Sequence, residues 1–417
     1  MVCSALEAVG TRFCTRLACM PVLLLLIVSG CSSRGQPVPQ SLTNEAHIAG
    51  MTDIRSWGEN INEALRASIV ESVQQERDYY AAHPEESMPQ RTSLLALSGG
   101  GAQGAFGAGL LCGWTEAGTR PEFKLVTGIS TGALIAPLAF AGPEYDDKLR
   151  AAYTTVETSD ILIPRPLLIL FGSQALADTE PLRKLVSVYV DRQLLDVVAR
   201  EHAKGRRLLV ATTNLDAQRP VIWNLGAIAA SGHPRALDLF RNVIIASASI
   251  PAAFPPVYIE VVADGKKYDE MHVDGGVVAQ VFLFGGGFSV LQEARKHGIT
   301  PRPIDLYVIR NGTPDPSWHA IAPRLLPIAT RSIDTLLNVS GLNDMLRLHG
   351  IAVRDGMNFH LAYIPPDLST ESDEVFDREY MTRLFNAAFE ASKNGYPWLK
   401  QPPMSLFPEM PEPAAAP

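Results

Sequence analysis

Two residues in this chain stand where their type and neighbours make them reactive. Ser130 occupies Gly128-Ile129-Ser130-Thr131-Gly132, a G-x-S-x-G arrangement. A serine in that setting sits on a sharp strand-to-helix turn with its hydroxyl exposed, the nucleophile elbow of acyl-transfer enzymes. A serine hydroxyl is a weak acid and needs a base. The usual base is a histidine, but His297, His319, His349 and His360 lie in mixed polar stretches without distinctive settings. The stronger segment is His272-Val273-Asp274-Gly275-Gly276, where a carboxylate at a strand end is followed by two glycines that permit close approach of another loop. An Asp takes a serine proton when its pKa is suitably placed. His272, two residues earlier, shares a strand face with Asp274 and is either a site residue or structural.

A third segment supplies backbone donors. Gly99-Gly100-Gly101-Ala102-Gln103-Gly104 follows the apolar run Ser93–Ser98. Glycines between a strand and a helix expose N–H groups at a helix N-terminus, which suits a phosphate or the oxyanion of an acyl-transfer intermediate. The same residues satisfy G-x-G-x-x-G, a dinucleotide fingerprint. That fingerprint needs an acidic residue closing the next strand, and Thr127-Gly128 stands there instead. No His, Cys, Asp or Glu residues fall at a recognisable ligand spacing, so neither a metal nor a cofactor is expected.

These residues need elements to hold them. Hydrophobic patterning predicts helices at 55–82, 104–117, 131–140, 183–203, 325–348 and 376–392. It predicts strands at 93–98, 124–127, 207–213, 221–225, 243–246, 257–262 and 304–309. Strands alternating with helices imply an α/β fold, a three-layer α/β/α sandwich with a largely parallel central sheet. The loops at the ends of neighbouring parallel strands then meet at one site. The run Ile161–Phe171 is apolar despite two prolines, and reads as core or as a lid over an acyl pocket.

The N-terminus reads as a targeting segment. Arg12 and Arg16 precede the short apolar run Val22–Val28, which ends in Val28-Ser29-Gly30-Cys31. This resembles the lipobox of bacterial lipoproteins. The resemblance implies cleavage before Cys31, a lipid on its sulfur and a lipid-anchored place in the bacterial cell envelope. By resemblance to lipoprotein sorting rules in double-membrane bacteria, Ser32 implies the outer membrane, on its periplasmic face. Residues 1–30 then form the signal, 31–54 a tether rich in small and polar residues, and 55–400 the folded domain with helical additions. Residues 401–417 form a Pro-rich disordered tail. Beyond the signal and Cys31 the only cysteine is Cys112, which lies among small apolar residues and reads as a buried, inert thiol. Net charge is −8, and no basic cluster suits a nucleic-acid partner.

Taken with Ala246-Ser247-Ala248-Ser249-Ile250-Pro251-Ala252-Ala253-Phe254-Pro255-Pro256, the glycine loop, the elbow and Asp274-Gly275-Gly276 resemble the patatin-like phospholipase family in order and spacing over roughly residues 93–310. The resemblance implies a patatin-like α/β fold and a Ser–Asp dyad without a catalytic histidine. Ser130 is then the nucleophile, Asp274 the base, and Gly99, Gly100 and Gly101 the oxyanion donors, with Gly128 and Gly132 flanking the elbow. The implied activity is metal-free hydrolysis of acyl esters in phospholipids or related lipids. Two departures stand out: Gln103 replaces a common Arg or Lys, and Gln280 stands near where the family often has Asn. A second reading keeps the fold and the anchor without the chemistry, as a lipid-binding envelope lipoprotein.

Overall fold

The structure, a computed structural model, describes residues 34–165, 173–284, 287–318, 320–368 and 374–403. The signal-like segment, Cys31, residues 166–171 of the apolar run, Gly285 and Gly286, His319 and the tail after Pro403 lie outside the described residues.

In chain order the strands are β1 (Arg55–Trp57), β2 (Thr92–Leu97), β3 (Phe123–Gly128), β4 (Ile163–Pro164), β5 (Ala177–Asp178), β6 (Arg207–Asn214), β7 (Arg219–Asn224), β8 (Val257–Ala263), β9 (Lys266–Asp274), β10 (Ile304–Arg310) and β11 (Asn358–Tyr363). The main sheet has the order β1-β7-β6-β3-β2-β10-β11. From β6 to β11 its neighbours are parallel, whereas β7, β1 and the β8–β9 hairpin join antiparallel.

Alternation along the strands divides the interior between two faces. Leu95 and Leu97 of β2 pack with Phe106 and Phe385 under helices Gly104–Glu116 and Arg378–Lys393. Leu94 and Ala96 of the same strand face the other way, toward Phe288, Met345 and Leu348. Helices therefore cover both faces, giving three layers around a largely parallel sheet, as the alternating pattern predicts.

Four expectations need correcting. Residues 243–246 are helical, within Ala236–Ser247, because Ala236, Leu239, Phe240, Val243, Ile244 and Ser247 repeat at helical spacing on a buried face. The helix expected from 55 begins at Glu63, where the Asn62 side chain accepts the Leu65 N–H, and residues 55–57 pair with β7 instead. Helical pattern 183–203 is two helices, Glu180–Tyr189 and Arg192–Ala203. The expected tether is not loose from residue 34 onward. His47 exchanges backbone hydrogen bonds with Val262, the Gln36 carbonyl accepts the Asp269 N–H, and Ile48, Met51 and Ile54 are buried. The exposed edge of the β8–β9 hairpin offers unpaired backbone groups, and this segment covers them.

Candidate active site

The elbow and the Asp loop meet because two strands share one edge of β6. β3 pairs with β6 only as far as Gly128↔Val210. β7 occupies the opposite edge of β6 through Asn214. Beyond Val210 the vacated edge is taken by β9, running antiparallel, with Asp274 opposite Thr212. β3 and β9 thus arrive from opposite directions, and the loops at their ends carry Ser130 and Asp274 into one place.

Ser130 has φ 56° and ψ −124°, a left-handed conformation that non-glycine residues rarely adopt. Strain of this kind costs on the order of 1–3 kcal/mol and persists where the surroundings enforce it. Here the Ser130 N–H donates to Ser247 Oγ at 3.0 Å, and Ser247 Oγ donates to the Ala211 carbonyl at 2.7 Å. Gly132 explains the second glycine of the motif: a Cβ there would lie 2.4 Å from the Leu97 carbonyl oxygen. The elbow therefore presses directly on the end of β2.

Asp274 is buried. Its Oδ1 accepts the Gly276 N–H at 2.6 Å, and its backbone is tied to the Ser249 carbonyl and the Thr213 hydroxyl. Its Oδ2 is buried and has no partner at full hydrogen-bond geometry among the described residues. Loss of solvation pushes the carboxyl up to about 7, while the neighbouring Ser130 hydroxyl and the Gly276 N–H draw it partly back down. A catalytic contact that is loose at rest can tighten when substrate binds. A carboxyl ionising near neutrality is suited to take and return a proton.

The glycine loop lies on the other side of Ser130. Gly99 N–H donates to the Gln280 carbonyl at 2.9 Å, so it is not free for an oxyanion, which corrects one of the three expected donors. The loop must be tied to the Asp strand somewhere, and Gly99 makes that tie. The N–H groups of Gly100 and Gly101 meet no protein acceptor among the described residues. Gly100 has φ 154° and a Cβ there would lie 2.0 Å from the Asn311 carbonyl oxygen, so only glycine fits.

Two residues not singled out in the sequence, Asn311 and Arg310, brace this loop together with Gln280. Asn311 accepts the Gly107 N–H and donates to the Ser98 carbonyl at 2.9 Å. Arg310 is buried, with its guanidinium against the Ser98 hydroxyl, the Gly99 carbonyl and Gln280 Oε1 at 3.3–3.4 Å. Burial lowers its pKa to about 10, which leaves it charged at neutral pH behind the glycine loop. Gln280 is the hub: its N–H bonds Asp344, its side chain donates to the Gly276 carbonyl, and its carbonyl holds Gly99. A charged residue closing an apolar strand, in Ile309-Arg310-Asn311-Gly312, was the available signal for this brace.

An apolar cavity of about 80 Å³ opens beside Ser130, lined by Gly101, Leu134, Leu138, Val186, Phe254 and Met381 among others. Ile161 lines it too, whereas Ile163 and Pro164 are exposed and pair with β5. Ile161, at the start of the apolar run, is thus both buried core and cavity lining. His272 is structural: its Nδ1 pairs with the Thr212 hydroxyl and its Nε2 with Glu270, which is ion-paired to Arg55. Among the described residues no histidine lines the cavity, and no cluster of three or more His, Cys, Asp or Glu converges as for a metal. Cys112 is buried, and desolvation pushes its thiol up to about 12.

A strained serine beside a buried carboxyl and an apolar cavity, carried on an α/β sandwich, is an arrangement suited to acyl transfer. Residues 95–283 match the model of the patatin-like phospholipase family. The chain is similar to the cUMP-AMP-activated phospholipase of Escherichia coli, 28% identical over 267 residues that span 59% of this chain and 77% of that protein. Among solved structures it is similar to VipD from Legionella pneumophila, at 11% identity and a TM-score of 0.39, over 74% of this chain and 67% of that one. Human GIVD cytosolic phospholipase A2 is similar at 10% identity and a TM-score of 0.35, over 82% of this chain and 65% of that one.

Proposed function

We propose that this protein hydrolyses acyl esters of phospholipids or related lipids with a Ser130–Asp274 dyad. The observation that carries the reading is the pairing of a strained serine with a buried carboxyl ionising near 7, at the mouth of an apolar cavity. Ser130 Oγ attacks the ester carbonyl carbon as its proton passes to Asp274. The N–H groups of Gly100 and Gly101 stabilise the oxyanion, with the buried Arg310 charge behind them. The intermediate collapses, and Asp274 returns the proton to the departing alcohol. Water then attacks the acyl-serine, giving its proton to Asp274, and the fatty acid leaves as Ser130 is reprotonated. The chain of that acid occupies the cavity lined by Leu134, Leu138 and Phe254. No histidine and no metal take part in these steps.

The experiment is labelling with a fluorophosphonate followed by lipid profiling of wild type against Ser130→Ala. Labelling at Ser130 together with a lipid consumed only by the wild type supports the reading. An unlabelled, folded protein that binds lipid without turnover would point to the non-catalytic lipid binder instead.

We further propose that Cys31 carries the anchor, on the strength of Val28-Ser29-Gly30-Cys31, and holds the enzyme at the periplasmic face of the outer membrane. No helix among the described residues is long and apolar enough to cross a membrane. Two or more acyl chains suffice for stable anchoring. Fractionation of wild type and Cys31→Ser tests this, and a mature, soluble, acyl-free wild type would refute it.

A further inference from the structure

The helix Leu325–Arg354 is longer than the sheet it packs on. Its C-terminal end leads to β11, whose first residues pair with the start of β10 through Asn358↔Asp305. Gly341, partway along, lies against the guanidinium of Arg310 at the opposite, active-site end of β10. The helix therefore runs antiparallel to the strands, and by residue 341 it has reached the level of the glycine loop. Residues 325–340 continue past it, a projection of about 24 Å at 1.5 Å per residue.

That projection is amphipathic and uncovered. At 100° per residue, Leu325, Ile328, Leu336 and Val339 fall on one stripe with Ile333 at its margin, and all five are exposed. Thr330, Asp334 and Asn338 lie on the opposite side, with Arg324 and Arg331 on the flank. Trp318, in the segment leading into the helix, is 89% exposed. Large apolar side chains gathered on one exposed element mark an interaction site, and isolated exposed ones do not.

We infer that Trp318 and residues 320–339 form a docking element that lies in a lipid surface and brings the Ser130 site against it. The helix leaves the body at the end of the sheet where Ser130 and the acyl cavity open. Its apolar stripe, an aromatic residue in the segment leading into it and two arginines beside the stripe are the chemistry of an interfacial helix. Residues 318–339 carry Arg324 and Arg331 against Asp334, whereas the whole chain carries −8. The catalytic half of the inference rests on the lipid-hydrolase reading, but the docking half does not.

The test reads Trp318 directly, so that an anchor at Cys31 does not mask the result. Full-length Ser130→Ala protein is mixed with phosphatidylethanolamine–phosphatidylglycerol vesicles carrying brominated acyl chains. Fluorescence quenching is compared with the same protein carrying Trp318→Phe. Quenching is expected with Trp318 present and largely absent without it. Ile328→Glu and Leu336→Glu, at exposed positions that leave the fold intact by circular dichroism, should each reduce Trp318 quenching severalfold. On the catalytically intact protein they should lower vesicle-lipid turnover about tenfold and leave a soluble short-chain ester unaffected. Unquenched Trp318, or unchanged vesicle turnover in both Glu variants, overturns the inference. Unquenched Trp318 with a dimer that Leu336→Glu dissociates assigns the stripe to a second copy of this chain. Quenching without turnover of either substrate refutes the hydrolase reading and leaves the docking surface standing.

Discussion

Asp274→Asn should inactivate the protein and stabilise it, and the stabilisation should grow with pH. The Asp274 carboxyl ionises near 7 in the folded protein, against an ordinary value of 3.8. The folded state therefore holds this proton more tightly than the unfolded chain. Stability from this group is fully present below about 4 and is lost as pH rises toward 7, where the folded carboxyl must also ionise. Each tenfold change in an ionisation constant is worth about 1.4 kcal/mol, so a buried Asp274 carboxylate destabilises the folded state by up to about 4 kcal/mol at pH 8. Asn is the neutral isostere. Its amide keeps an acceptor for the Gly276 N–H and places a donor where Oδ2 lies, as the protonated acid does. At pH 4 the two proteins should therefore match closely. At pH 8 the variant should be the more stable by up to about 4 kcal/mol.

Urea unfolding of both proteins at half-unit steps from pH 4 to 8 measures this as the difference between two stability curves. Titrating groups shared by the two proteins cancel in that difference. In parallel, kcat/KM of the wild type on a soluble ester should rise through an ionisation near 7, because only the carboxylate accepts the serine proton. Parallel stability curves would show that burial does not hold this carboxyl up. Near-wild-type turnover by Asp274→Asn would show that it is not the base.

Ser130→Ala should abolish ester turnover, and the Asp274 ionisation should move further up, since the hydroxyl that draws it down is gone; a pH titration of stability in that variant reads the change. Gly132→Ala should cost several kcal/mol or prevent folding, because its Cβ meets the Leu97 carbonyl at 2.4 Å with backbone on both sides; thermal melting checks it. Arg310→Gln should lower kcat about tenfold or more while KM for a soluble ester changes little, if the buried charge supports the oxyanion; a loss in KM alone would contradict that role. Turnover should survive EDTA, and loss on chelation with recovery on adding calcium would contradict a metal-free dyad.

What the sequence exposed and what it hid have physical causes. Gly128, Ser130 and Gly132 were legible because an elbow presses backbone on backbone, and only glycine tolerates that on either side of the turn. The layers were legible because β2, β3 and β6 alternate between two apolar faces. Residues 243–246 misled because a fully buried helix and a buried strand present the same short apolar run. Arg310, Asn311 and Asp344 were hidden for another reason: their partners lie 30 to 213 residues away, and the charge closing the apolar strand β10 was the one local sign of them. His272 shows the limit of strand arithmetic. It shares β9 with Asp274 at the spacing that places both on one face, yet Glu270 and Thr212 hold its two ring nitrogens away from the serine. Two-residue spacing fixes the side of a sheet and not the partner found there. What separates the two residues is the register of β9 on β6, in which Asp274 stands opposite Thr212 at the point where β3 has ended. That register is a property of three strands far apart in sequence, and it alone converts a carboxylate at a strand end into one that faces a serine.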